Sequence, residues 1–83
     1  MLNNKSILIT GGTGSFGQKF ISEALRKYQK IKRLIVFSRD ELKQSEMEKK
    51  FSLKKYKFLR YFIGDVRDYD RIYHATKNVD III

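Results

Sequence analysis

The feature that most constrains this chain is a glycine turn set between an apolar run and a helical repeat. Ile7-Leu8-Ile9 closes at Thr10, and Gly11-Gly12-Thr13-Gly14-Ser15-Phe16-Gly17 follows at once. Beyond the turn, Phe16, Phe20, Ala24 and Tyr28 recur at every fourth position, with Ile21 and Leu25 beside them. That spacing is the apolar face of a helix. Lys5–Thr10 therefore reads as a buried strand that turns sharply into a helix. The glycines stand at G-x-x-G-x-x-G spacing, and each has a task. Gly11 permits the tight turn, Gly14 lets an anionic ligand approach the backbone, and Gly17 lets the helix pack closely on the sheet. The helix start offers unpaired N–H groups and the positive end of its dipole to phosphates. The hydroxyls of Thr13 and Ser15 add donors. No Lys-Ser or Lys-Thr pair closes the loop, which argues against a P-loop. A glycine-rich turn with no ligand is the plain alternative.

The remaining pattern repeats strand and helix. Arg33–Phe37 reads as the second strand. Asp40 to about Phe51 reads as the second helix, with Leu42, Met47 and Phe51 inward. Phe58–Ile63 is the third strand. Asp68–Thr76 is a short third helix with Ile72 and Ala75 facing the sheet, and Val79–Ile83 begins a fourth strand. This alternation predicts an α/β fold with a parallel sheet. The chain stops inside Ile81-Ile82-Ile83. A run this apolar belongs in the middle of a doubly covered sheet, and as an exposed edge it invites association. Residues 1–83 are therefore expected to be part of one nucleotide-binding domain, truncated in its fourth strand. A substrate domain and the catalytic residues are then absent from them. The alternative is a small domain whose last strand a partner covers.

Composition excludes several classes. There are 83 residues and no cysteine, so disulfides, thiolate metal sites and a cysteine nucleophile are ruled out. A reducing, cytoplasmic setting fits. No apolar stretch approaches the ~20 residues of a membrane span, and the first residues lack the pattern of a signal peptide. Lys and Arg number 18 against 9 acidic residues, a net charge of +9. Such a balance suits a polyanionic ligand or nucleic acid. Five of the lysines lie between Lys49 and Lys57, which reads as a solvated helix end and loop. A nucleic-acid binder would leave the glycine turn unexplained. His74 has no histidine or cysteine companion and reads as an ordinary helix residue. Tyr56, Tyr61, Tyr69 and Tyr73 read as core or boundary residues rather than a base-stacking surface. No metal site is expected.

The ends of the second and third strands bear on the ligand. A site for NAD usually places an acidic residue about 20 positions after the loop, on the ribose hydroxyls. Here the strand ends Phe37-Ser38-Arg39-Asp40. A guanidinium in that place suits a 2′-phosphate, and Lys43 adds a second positive charge, so NADP is favoured. Ser38 and Glu41 also match a capping box, and Asp40 keeps a ribose contact, and hence NAD, open. The third strand closes with Gly64-Asp65-Val66-Arg67-Asp68. Asp65 is placed to accept from an adenine amino group, with the Val66 backbone on a ring nitrogen. Either aspartate can instead cap the following helix, and Asp68 is preferred as the cap.

With these sites in hand, the sequence resembles the start of an extended short-chain dehydrogenase/reductase with a Rossmann fold. More narrowly, it is similar to the inverting UDP-N-acetylglucosamine 4,6-dehydratases that begin pseudaminic acid synthesis for flagellin glycosylation. The resemblance rests on Ile7 through Gly17, on SRDELKQSEM from Ser38 to Met47, and on FIGDVRD from Phe62 to Asp68. It implies a sheet in the order 3-2-1-4 with flanking helices. It implies pyrophosphate contacts at Thr13, Gly14, Ser15 and Phe16. It implies contacts to the adenosine ribose and its phosphate from Ser38 through Lys43, with Arg39 central, and adenine contacts at Asp65 and Val66. The implied reaction is an internal redox cycle. NADP takes a hydride from sugar carbon 4, water leaves across carbons 5 and 6, and the hydride returns to carbon 6 with inversion at carbon 5. The family's acid/base groups, including a Tyr-x-x-x-Lys pair, have no equivalent in these residues, so no catalytic residue is assigned. The expected partner is a nucleotide-sugar, with neither nucleic acid nor membrane, and a homo-oligomer at full length.

Overall fold

Alternation along the strands decides how both faces of the sheet are covered. The computed structural model describes residues 2–83. Its strands are β1 (Ser6–Thr10), β2 (Arg33–Ser38), β3 (Leu59–Ile63) and β4 (Ile81–Ile82). All neighbours pair in parallel, in the order β3-β2-β1-β4. Successive side chains of a strand point to opposite faces. Ile7, Ile9, Leu34, Val36 and Leu59 accordingly form one core. Helix α1 (Ser15–Lys27) covers it with Ile21, Ala24 and Leu25, and α2 (Glu41–Lys50) with Met47. Leu8, Ile35 and Phe37 form the other core, under Ile72 and Ala75 of α3 (Tyr69–Ala75). Ile7, Leu8 and Ile9 are wholly buried, and each such side chain contributes about 1.5–3 kcal/mol. The expected Rossmann-type topology is therefore present, with element ends within a residue or two of the predicted ones.

Four side chains expected inside lie outside. Phe16 is 70% exposed and Leu42 69%. Phe16 stands in the first turn of α1 and stacks on Phe20 above the sheet. Leu42 is two residues from buried Gln44, about 200° around the helix, so α2 offers Gln44, Met47 and Phe51 to the core instead. Tyr69 and Tyr73 are also exposed, because the short α3 turns only Ile72 and Ala75 onto the sheet. Tyr56 and Tyr61 pack at the core boundary as expected.

The register brings the carboxyl ends of β1, β2 and β3 level. Thr10 stands opposite Phe37, and Ser38 opposite Ile63. All three helices begin at this end of the sheet, where ligands of open α/β sheets bind.

Candidate functional site

The glycine turn is built by backbone contact. Gly11 has φ +60°, a conformation a side chain disfavours. A Cβ on Gly17 would lie 2.6 Å from both the Cα and the carbonyl oxygen of Gly12. The first turn of α1 thus sits directly on the loop, so Gly17 is needed for close packing against the Gly12 backbone rather than against the sheet itself. Gly14 is the N-cap of α1, and no side chain caps that helix. The first-turn N–H groups, which have no partner within a helix, remain available.

The other two helices start differently. At α2 the Asp40 carboxylate accepts from the Lys43 N–H at 3.0 Å, and at α3 the Asp68 carboxylate accepts from the Arg71 N–H at 3.3 Å. Asp68 is the predicted cap. The alternative of a capping box from Ser38 and Glu41 does not form: Asp40 caps α2, while Ser38 still belongs to β2. The Ser38 hydroxyl accepts from the Asp40 N–H at 3.0 Å and shares a 2.9 Å hydrogen bond with the Thr13 hydroxyl. Both residues are buried. The Thr13 hydroxyl is therefore committed to tying the glycine turn to the end of β2, and what Thr13 offers outward is its backbone.

A cleft of about 520 Å³ opens between these strand ends. It is lined by Gly11, Thr13 and Gly14 of the turn, Phe37, Ser38, Arg39, Asp40 and Lys43 of the second unit, and Gly64, Asp65, Val66 and Arg67 after β3. Nine of the sites named from the sequence thus meet in one place: Gly11, Thr13, Gly14, Ser38, Arg39, Asp40, Lys43, Asp65 and Val66. Ser15 lines an adjoining cleft with Gln18, Lys43 and Lys50. Gly17 lies behind the turn in a packing role, and Phe16 projects into solvent.

Charge in the cleft centres on Asp65. Arg67 donates to its carboxylate, and Arg39 Nη1 approaches it at 3.5 Å. The hydrogen bonds from Arg67 hold the Asp65 carboxyl well below the usual carboxylate range, with the positive charges of Arg67 and Arg39 as further causes. The same pairing raises the Arg67 pKa.

Sequence reading missed two residues that shape this end. Gln44 is buried, and its Nε2 donates to the carbonyls of Ser38 and Phe62, each at 3.1 Å. It pins α2 across the ends of β2 and β3. A glutamine in a polar helix carries no signal of such a role. Gln18 Nε2 likewise donates to the Thr13 carbonyl at 2.8 Å and braces the turn. Among the described residues no group of acidic, histidine or cysteine side chains could hold a metal ion, and no helix is long and apolar enough to cross a membrane.

Known proteins resemble this chain in sequence and fold. Residues 7–83 match the family described as "Polysaccharide biosynthesis protein". The chain is 51% identical over 83 residues to "UDP-N-acetylglucosamine 4,6-dehydratase (inverting)" of Campylobacter jejuni subsp. jejuni serotype O:2, covering 100% of this chain and 24% of that protein. It is 45% identical over 84 residues to "UDP-glucose 4-epimerase" of Rickettsia bellii, covering 99% of this chain and 24% of that protein. The X-ray structure of Pen from Bacillus thuringiensis superposes with a TM-score of 0.86 at 39% identity, over 99% of this chain and 24% of that one. The chain thus spans about a quarter of the length of these relatives. A family match over residues 7–83, on a parallel β3-β2-β1-β4 sheet, places the chain in the polysaccharide biosynthesis protein family.

Proposed function

We propose that the cleft binds NADP and that the chain is the nucleotide-binding part of a sugar-nucleotide 4,6-dehydratase acting on UDP-N-acetylglucosamine with inversion at carbon 5. One observation carries the cofactor reading: the uncapped start of α1, the Arg39 guanidinium and the Asp65 carboxylate converge on one cleft. Identity of 51% over the whole chain to the Campylobacter jejuni dehydratase supports the reaction.

The residues present fit the cofactor. A Cβ on Gly14 would meet only the Gly11 carbonyl oxygen, at 3.4 Å, so the outer side of the turn is open to a pyrophosphate. The N–H groups of Ser15 and Phe16 donate to it in a field made favourable by the helix dipole. Arg39 presents a planar fork to the 2′-phosphate, with Lys43 as a second cation. Asp65, held ionised, accepts from the adenine amino group, and Val66 offers backbone to the ring. When bound, NADP supplies a reversible hydride acceptor; these residues bind and orient it. No catalytic residue is assigned, and residues 1–83 by themselves are expected to turn over no substrate. The intact protein is read as cytoplasmic and homo-oligomeric, serving the glycosylation of flagellin, with a nucleotide-sugar rather than nucleic acid or membrane as partner.

A second reading is a sugar-nucleotide epimerase, favoured by the 45% identity to the Rickettsia bellii protein. Incubating the intact protein with UDP-N-acetylglucosamine, without added cofactor, separates the two. The dehydratase reading expects a product lighter by one water. An isomer of unchanged mass supports the epimerase, and an unaltered substrate counts against both.

A further inference from the structure

The Asp65 carboxylate is shared unequally between two arginines. The Arg67 backbone N–H donates to Oδ1 at 2.9 Å, its Nε lies 3.2 and 3.3 Å from Oδ1 and Oδ2, and its Nη2 donates to Oδ2 at 2.8 Å. Arg39 reaches Oδ2 through a single nitrogen at 3.5 Å, the outer limit of a hydrogen bond. Arg67 is two residues from Asp65, so the chain itself holds this fork in place. Arg39 arrives from the end of β2 with its side chain 72% exposed. A carboxylate has about four lone-pair sites, and Arg67 addresses both oxygens. What is left suits one further donor, the adenine amino group in the reading above, rather than the Arg39 fork. Two guanidiniums against one carboxylate also leave one positive charge unbalanced at the cleft.

We propose that Arg67 is a positioning residue for cofactor choice: by holding Asp65 in its own fork, it keeps the Arg39 guanidinium free for the 2′-phosphate. The inference rests on the NADP reading above. Without Arg67, the nearest anion to Arg39 is Asp65. The two then close into a bidentate pair, and a 2′-phosphate has to break that pair to bind. NAD has no phosphate there and meets no such competition. Both dinucleotides share the adenine and its ribose ring, so the ratio of their affinities cancels what Asp65 contributes to the base.

The test measures the NADP and NAD dissociation constants of the intact protein and of R67M, R67K and the double variant R67M/D65N, with a thermal melt of each. Wild type is expected to prefer NADP. R67M should lose about tenfold of that preference or more, R67K should recover part of it, and R67M/D65N should recover it by removing the carboxylate that captures Arg39. Arg67 is 78% exposed, so folding should survive each change; if R67M does not fold, R67K against wild type reads the same effect at smaller size. An unchanged ratio in R67M, with wild type preferring NADP, overturns this inference alone. A double variant as impaired as R67M also overturns it, because Arg67 would then touch the phosphate itself. A wild type without preference removes the NADP reading and this inference together.

Discussion

The start of α1 and the starts of α2 and α3 face the same end of the sheet, yet they are finished in opposite ways. Asp40 and Asp68 supply α2 and α3 with their own carboxylates. Helix α1 begins at a glycine and has none. An N-cap carboxylate contributes about 1 kcal/mol relative to alanine but only a few tenths relative to glycine, so its omission at Gly14 has a small cost in stability. What the omission leaves is a set of N–H donors over an open turn, beside the cleft that holds Arg39 and Lys43. The capped helices support the fold, and under the proposed NADP reading the uncapped one is where the ligand completes the helix.

The strongest way to break this contrast is to move α1 off its loop. Gly17→Ala places a methyl group 2.6 Å from Gly12 backbone atoms. Backbone yields less than a side chain, so a loss of about 3 kcal/mol is expected, the upper end for overpacking. A denaturant midpoint read with NADP affinity should show both falling. Gly14→Asp is more selective, because it gives α1 the cap that its neighbours have. The backbone there is extended, with φ −75°, and admits a side chain. Stability should hold or rise by a few tenths of a kcal/mol. NADP binding should fall about 100-fold or more, since two charge-assisted hydrogen bonds at about 1.5–3 kcal/mol each are displaced. Asp68→Ala is the converse: a loss of about 1 kcal/mol in a melt, with the ratio of NADP to NAD affinity unmoved.

The smallest effect lies at the far end of α2, where Tyr61 donates to the Phe51 carbonyl at 3.0 Å. Burial, then the nearby Glu48, pushes the Tyr61 pKa up to about 12. An unfolded tyrosine loses its proton near pH 10, so the folded state holds a proton that the unfolded state has released. Stability from this group is whole below pH 10 and is lost as pH rises from there through about 12. Tyr61→Phe should flatten that decline in melts taken across the window.

Much of this contrast was legible in the sequence, for physical reasons. The apolar strand runs follow from a sheet covered on both faces, and the Gly11, Gly14 and Gly17 spacing is dictated by backbone geometry, which tolerates few substitutes. Asp68 was readable as a cap because it precedes a helical repeat. Ser38 misled, since S-x-x-E is a capping pattern only when its serine has left the strand, and the Thr13 hydroxyl holds this one at the end of β2. Phe16 misled because periodicity gives a face but not where that face clears the sheet, and Leu42 because it lies about 200° around α2 from Gln44, off the inward face. The two-carbonyl bridge of Gln44 is tertiary, and no local pattern announces it; the Arg67 fork is local, across two residues, but the order Asp-Val-Arg does not by itself say where the guanidinium turns.

The most direct test of the account is the affinity of the intact protein for NADP and for NAD, before and after Arg39→Ala. The account predicts that NADP affinity falls about 10- to 100-fold, the worth of one or more charge-assisted hydrogen bonds, while NAD affinity stays nearly constant. Equal affinity for the two dinucleotides before the change, or an equal effect on both after it, would contradict it.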